Sequence, residues 1–152
     1  MQLRYLMTIV VHAAPPRSLG RFPLGERKLT TFSGGSFAGA DGTDLSGTLA
    51  EGGVDWQTVR QDGSIELRAH YLLTTDRDES IEVLSEGLRI MSPAVAARFA
   101  AGDPLDPDEY YFRTHIRLTT DASRLAHLND RIAVSTGERL DGAVHIHVHE
   151  VL

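Results

Sequence analysis

Gly63-Ser-Ile-Glu-Leu-Arg-Ala-His-Tyr-Leu-Leu-Thr-Thr-Asp76 is a long alternating run. Ile65, Leu67, Ala69, Tyr71 and Leu73 share one face, while Glu66, Arg68, His70 and Thr74 take most of the other. Period 2 marks a strand with one wet side and one buried side. The pattern returns from end to end, which predicts one all-β domain over residues 1–152. A sheet of this kind tends to close on itself. The expected fold is therefore a single closed or nearly closed antiparallel β-barrel with one short helix. A barrel encloses a cavity, and function is to be sought there.

Working outward, glycine and proline punctuate the chain. Gly34-Gly35, Asp41-Gly42, Gly52-Gly53, Asp62-Gly63 and Asp141-Gly142 are turn dipeptides, because glycine accepts positive φ. Between them lie candidate strands Leu3–His12, Arg27–Phe32, Ser36–Ala40, Leu45–Leu49, Asp55–Arg60, Ser64–Thr75, Ser80–Ile90, Tyr110–Leu118, Ile132–Thr136 and Ala143–Val151. Turns about ten residues apart suit hairpins and leave no room for βαβ crossovers. Gly87 reads as a bulge, because the apolar face changes sides around it. The helix is expected near Pro93–Ala101. Ser92 is an N-cap, Pro93 suits the first helical position, Gly102 ends the run, and Val95 and Phe99 form an i, i+4 apolar pair.

Composition narrows the function classes. The net charge of −6, with fifteen scattered Lys and Arg, argues against nucleic acid as a partner. No cysteine is present, so disulfides, thiolate metal sites and Cys nucleophiles are excluded. A reducing compartment is compatible with this, and a cytoplasmic location is expected. The apolar run Tyr5–Val11 is short for a signal peptide and reads as the first strand. No stretch approaches a membrane-spanning helix, so no membrane partner is expected. Self-association into a homo-oligomer is compatible with the sequence.

Five segments then carry a resemblance. Gly34-Gly-Ser-Phe-Ala-Gly39, Leu45-Ser-Gly-Thr-Leu-Ala-Glu-Gly-Gly-Val-Asp-Trp56, Gly63–Thr75, Pro107-Asp-Glu-Tyr-Tyr-Phe-Arg113 and the closing Val144–Val151 strand stand in that order. As an ordered set they resemble the DUF3237 family, also called UPF0311, over nearly the whole chain. The resemblance implies a fold similar to small antiparallel barrels such as allene oxide cyclase. It also implies an activity on small aromatics, of the kind assigned to hydroxylaminobenzoate lyases. Where the family has Tyr-x-Trp-Leu-Asn, this chain has Arg124-Leu-Ala-His127-Leu-Asn129. The closing strand also carries three His where the family has mixed polar residues.

Candidate site residues follow from both readings. Asp55, after Gly52-Gly53, fits a general acid or base, and Trp56 fits a stacking wall. A turn Asp and a core Trp fit the same residues. Tyr71 puts a hydroxyl on an apolar face. Glu109-Tyr-Tyr-Phe-Arg113 gathers an acid, phenols and a guanidinium. Arg113 would bind a carboxylate bidentately, with Tyr111 and Glu109 beside it, if that face of the strand turns inward. The amide of Asn129 could fix a carbonyl. The expected set is thus Asp55, Tyr71 and Arg113 as catalytic residues, with Trp56, Tyr111, Glu109 and Asn129 binding substrate.

His145-x-His147-x-His149 imitates a metal motif. On a strand the three imidazoles span about 13 Å, too far to meet one ion. Val144, Ile146 and Val148 claim the buried face, so no metal is expected there. No phosphate-binding glycine loop precedes a helix, so no cofactor is expected either. Two readings remain: a cofactor-independent lyase or isomerase on a small aromatic or enol-type, possibly carboxylated, molecule, and a non-catalytic small-molecule-binding barrel of lipocalin type. In both the partner is a small-molecule ligand.

Overall fold

The computed structural model describes all 152 residues. Ten strands form one antiparallel sheet: β1 Leu3–Ala13, β2 Arg17–Phe22, β3 Gly25–Gly39, β4 Ser46–Leu49, β5 Val54–Val59, β6 Ile65–Thr75, β7 Ser80–Ile90, β8 Tyr111–Thr120, β9 Ile132–Leu140 and β10 Ala143–Val151. The ladder runs β1-β10-β9-β8-β7-β6, passes through β4 and β5 to β3, and returns from β3 onto β1. β4 and β5 share one stave, because each pairs with both β3 and β6. β2 continues the β1 stave along β3. The outcome is a closed eight-stave antiparallel barrel with no free edge around its girth.

Alternation decides which side chains enter. On β6, Leu67, Tyr71 and Leu73 are buried, while Arg68, His70 and Leu72 are exposed. On β8, Phe112, Thr114, Ile116 and Leu118 point in, and Tyr111, Arg113, His115 and Arg117 point out. On β10, Ile146, Val148 and Glu150 point in. The three histidines lie on the outer face, where His147 bridges Thr8 and Glu138.

Three sequence expectations need correction. Gly34-Gly35 is not a turn but lies inside β3, a single 15-residue strand. A Cβ on Gly35, at φ +156°, would fall 2.0 Å from the Val10 carbonyl oxygen, so only glycine lets β3 pair with β1 that closely there. Gly87 is not a bulge, because the registers with β6 and β8 run through it without a shift. β9 continues past Thr136 to Leu140. β2 escaped notice because Arg17–Phe22 lacks alternation, and only Leu19 in it is even half-buried.

The two ends of the barrel differ. A 3-10 segment, Ser123–Asp130, plugs one end with buried Leu125 and Leu128. Beneath it Met7, Ile9, Leu73, Ile81, Val83, Ile116 and Val148 pack with almost no exposure. The other end carries helix α1, Pro93–Ala100, in the connection from β7 to β8. Ser92 Oγ accepts from the Val95 N–H, and Gly102 at φ +80° follows its end. Two turns cannot hold a helix alone, so α1 depends on what its Val95–Phe99 face touches. Neither helix nor 3-10 segment is long and apolar enough to cross a membrane.

Leu128→Ala at the plugged end should cost about 2–5 kcal/mol in urea unfolding, the usual range for a buried leucine. Leu84→Ala, on the outer face of β7, should change stability by less than about 0.5 kcal/mol. Similar losses from both would contradict the assignment of inside and outside.

Candidate functional site

At the α1 end the interior is not filled. A cavity of about 310 Å³ opens there, walled by β3, β5, β6, β7, β8, β9 and β10 and rimmed by Ala13–Pro16 and Phe99. Asp55 and Gln57 reach it from β5, Tyr71 from β6, Ser85 and Arg89 from β7, Phe112 and Thr114 from β8, and Arg139 from β9. Local sequence explains the entry of β5. A Cβ on Gly53 would sit 2.6 Å from Tyr71 Cβ and 2.8 Å from the Phe32 ring, so β5 can start close against both. Phe32 and Tyr71 then meet edge to face at 5.5 Å.

Asp55 is the only carboxylate on this wall. Gln57 Nε2 donates to its Oδ2 at 2.8 Å, and the Arg68 backbone N–H donates to its Oδ1 at 3.1 Å. Both bonds favour the charged form, as does the charge of Arg89. Burial outweighs all three and pushes the Asp55 pKa above the usual aspartate range. Tyr71 is buried, and burial together with the negative charge of Asp55 pushes its phenol well above the ordinary value. It therefore stays protonated and can donate.

Two cations share the cavity wall. Burial lowers the Arg89 pKa, partly offset by the charges of Asp55 and Tyr110. Its Nε is buried without a hydrogen-bond partner. Arg139 donates from Nη2 to the Phe99 carbonyl at 2.5 Å, and its own N–H donates to the Tyr110 hydroxyl at 3.1 Å. Its guanidinium lies 3.6 Å from the Phe99 ring centroid, and that of Arg89 lies 4.7 Å from it. Phe99 thereby fastens α1 to the mouth. Ser85, Thr114 and Ser135 form a buried hydroxyl chain, with oxygens 3.0 and 2.7 Å apart. The Thr30 hydroxyl on the same wall is buried and unpartnered.

Of the residues expected from sequence, Asp55 and Tyr71 line this cavity, and the rest do not. Trp56 follows Asp55 on a strand and so faces outward, where Arg27 covers its ring at 5.1 Å. Tyr111 and Arg113 are exposed on the outer face of β8, stacked on each other at 5.2 Å, and Phe112 takes the inward position. Glu109 ends a 3-10 turn, Pro107–Glu109, where it accepts from the Asp106 N–H and pairs with Arg98 at 2.6 Å. Asn129 sits at the plugged end and bonds both backbone groups of Thr120. The convergence of all these groups on one mouth is therefore corrected. Gln57, Ser85, Arg89, Thr114 and Arg139 stand in their place.

A larger concavity, about 870 Å³, is an open groove on the outside, lined in part by Phe22, Leu24, Trp56 and Leu88. Arg60 pairs there with Glu66 and Arg68 with Glu86, while Arg27 donates to Thr58 Oγ1 and covers the Trp56 ring. The inner cavity is smaller but holds the desolvated carboxylate and the unpartnered donors, which makes it the candidate site.

Comparison with known proteins agrees with this architecture. The family model for a protein of unknown function, DUF3237, matches residues 1–151, and the chain belongs to that family. A UPF0311 protein of Rhodopseudomonas palustris is 30% identical, over 100% of this chain and 97% of its own. A crystal structure of a conserved protein of unknown function from that organism superposes with a TM-score of 0.90, at 30% identity, covering 99% and 97% of the two chains. A β-barrel-like protein of Acinetobacter baumannii gives 0.81 at 31% identity, covering 98% and 94%. An enzyme from Penicillium herquei shares the fold, with a TM-score of 0.68 at 21% identity, covering 97% and 93%.

A raised Asp55 pKa has a stability signature. The folded chain holds that proton more tightly than the unfolded one, so the ionised carboxylate costs stability above the folded pKa. The cost disappears as pH falls below the ordinary aspartate value. Asp55→Asn should raise Tm by about 2–4 °C at pH 8, the equivalent of about 1 kcal/mol, and lose that advantage in acid. Scanning calorimetry across pH checks this, and a lower Tm for the variant at pH 8 would contradict it.

Proposed function

We propose that the cavity is the site of a cofactor-independent lyase or isomerase acting on a small aromatic or enol-type molecule. The observation that carries this reading is Asp55: a carboxylate held by two hydrogen bonds, desolvated, on the wall of a ligand-sized cavity. A raised pKa makes the carboxylate a stronger base near neutral pH. It would take a proton from a carbon next to a carbonyl. The electron pair left behind moves onto the carbonyl oxygen as an enolate. The proton then returns to another atom, or a leaving group departs from the neighbouring carbon as the carbonyl re-forms.

Tyr71, kept protonated by its surroundings, suits the role of donor to the enolate oxygen. Gln57 and the Arg68 N–H hold the carboxylate in one orientation. Phe32, Phe99 and Phe112 offer apolar walls for a flat body. Each step is a proton transfer or an elimination that these side chains can support. That the fold is compatible with catalysis is illustrated by the Penicillium herquei enzyme, whose likeness extends to the fold alone.

A binding barrel of lipocalin type is the competing reading, favoured by the apolar share of the lining. It gives no reason to maintain a desolvated carboxylate at a cost in stability. Phenylpyruvate, a small aromatic that enolises, separates the two. In D₂O the protein should accelerate deuterium exchange at its C3, followed by proton NMR. Asp55→Asn should lower that rate at least about a hundredfold without weakening binding. Arg113→Ala should leave both unchanged, since Arg113 is outside. Binding without accelerated exchange, or equal exchange in the Asn variant, would hand the cavity to the binding-barrel reading.

A further inference from the structure

The charges on the cavity wall do not balance. Asp55 supplies at most one negative charge, whereas Arg89 and Arg139 supply two positive ones. Neither guanidinium has a carboxylate within ion-pair distance. Elsewhere Arg4, Arg60, Arg68, Arg77, Arg98 and Arg124 each meet an acidic side chain, and the arginines that do not (Arg17, Arg21, Arg27, Arg113, Arg117 and Arg131) lie outside the cavity. The chain as a whole carries −6, so the positive interior is a local feature and not a consequence of composition.

Donors are left over as well. Arg89 Nε is buried with no partner, and so is the Thr30 hydroxyl on the same wall. An orphaned buried donor costs about 1–3 kcal/mol, more when it is charged. An uncompensated buried cation is costlier still. Arg139 is held in place by the Phe99 carbonyl, and the Phe99 ring keeps both guanidinium groups at the mouth.

We infer that Arg89 and Arg139 form an anion-binding subsite that selects a planar molecule bearing a single negative charge. The inference rests on the reading of the cavity as a ligand site, and it adds the charge of the ligand and the residues that select it. One net positive charge remains when Asp55 is ionised, so a monoanion brings the wall to neutrality and a dianion overshoots. A carboxylate or enolate suits the guanidinium fork. A cavity of about 310 Å³ stands at the small end of the range for ligand pockets and suits a compact planar body.

Benzoate and benzamide, a charged and a neutral molecule of nearly equal shape, test the inference by calorimetric titration at pH 7. Benzoate should bind at least about tenfold more tightly, the scale of a charge-assisted hydrogen bond. Arg89→Met and Arg139→Met should each remove most of that preference and leave benzamide unchanged. Arg89→Lys and Arg139→Lys, which keep the charge, guard against a Met variant that fails to fold, and each should retain part of it. Equal affinity for the two probes in the wild-type protein overturns the subsite, as does a benzoate preference that survives both Met substitutions, or both Lys substitutions at full strength. Benzoate has no proton for Asp55 to take. A benzoate preference without phenylpyruvate exchange therefore sinks only the catalytic reading, and exchange without the preference sinks only the subsite.

Discussion

Closing the sheet into eight staves sends every second side chain into a space only a few side chains wide. Everything else in the molecule answers to that constraint. An inward residue is either packed or left facing a cavity, and a polar one needs a partner or a use. At the plugged end the inward positions are Met7, Ile9, Leu73, Ile81, Val83, Ile116 and Val148, and they pack. At the α1 end the inward positions are Asp55, Gln57, Tyr71, Ser85, Arg89, Thr114 and Arg139, and space remains. One architecture thus keeps its apolar core and its polar site at opposite ends of a single lumen. The stability of the first end supports the desolvated charge at the second.

The fold was legible because alternation is a local signal. It returned the strands from β5 to β8 to within two residues and reproduced β10 as observed. It also gave the outward histidines and the helix behind Ser92-Pro93. It failed where a glycine serves the sheet and not a turn. Gly34-Gly35 reads as punctuation, yet it lies inside a continuous strand, and the sequence does not say which carbonyl will press against it.

The site was half legible for the same reason. Asp55 and Tyr71 were found, but adjacent strand residues face opposite sides, so Asp55 in the lumen already places Trp56 outside it. Arg113 and Phe112 posed the same choice, and the apolar side won. Arg89 and Arg139 were missed through parity errors of a different kind. Reading Gly87 as a bulge broke the inward series Ile81, Val83, Ser85, Gly87, Arg89. Ending β9 at Thr136 cut the inward series Ala133, Ser135, Gly137, Arg139 after Ser135. Carrying both alternations to the strand ends would have brought two guanidinium groups into the cavity.

A poised base in this barrel requires the Asp55 carboxyl to be desolvated in solution. Carboxyl-carbon NMR measures this directly, with the Asp55 resonance assigned by its loss in the Asn variant and followed from pH 3 to pH 9. The midpoint should lie above the ordinary aspartate value of 3.8, because burial outweighs the hydrogen bonds of Gln57 and Arg68 and the charge of Arg89. A midpoint at or below that value would mean that the carboxylate is simply a solvated or ion-paired group. The barrel end would then hold no poised base.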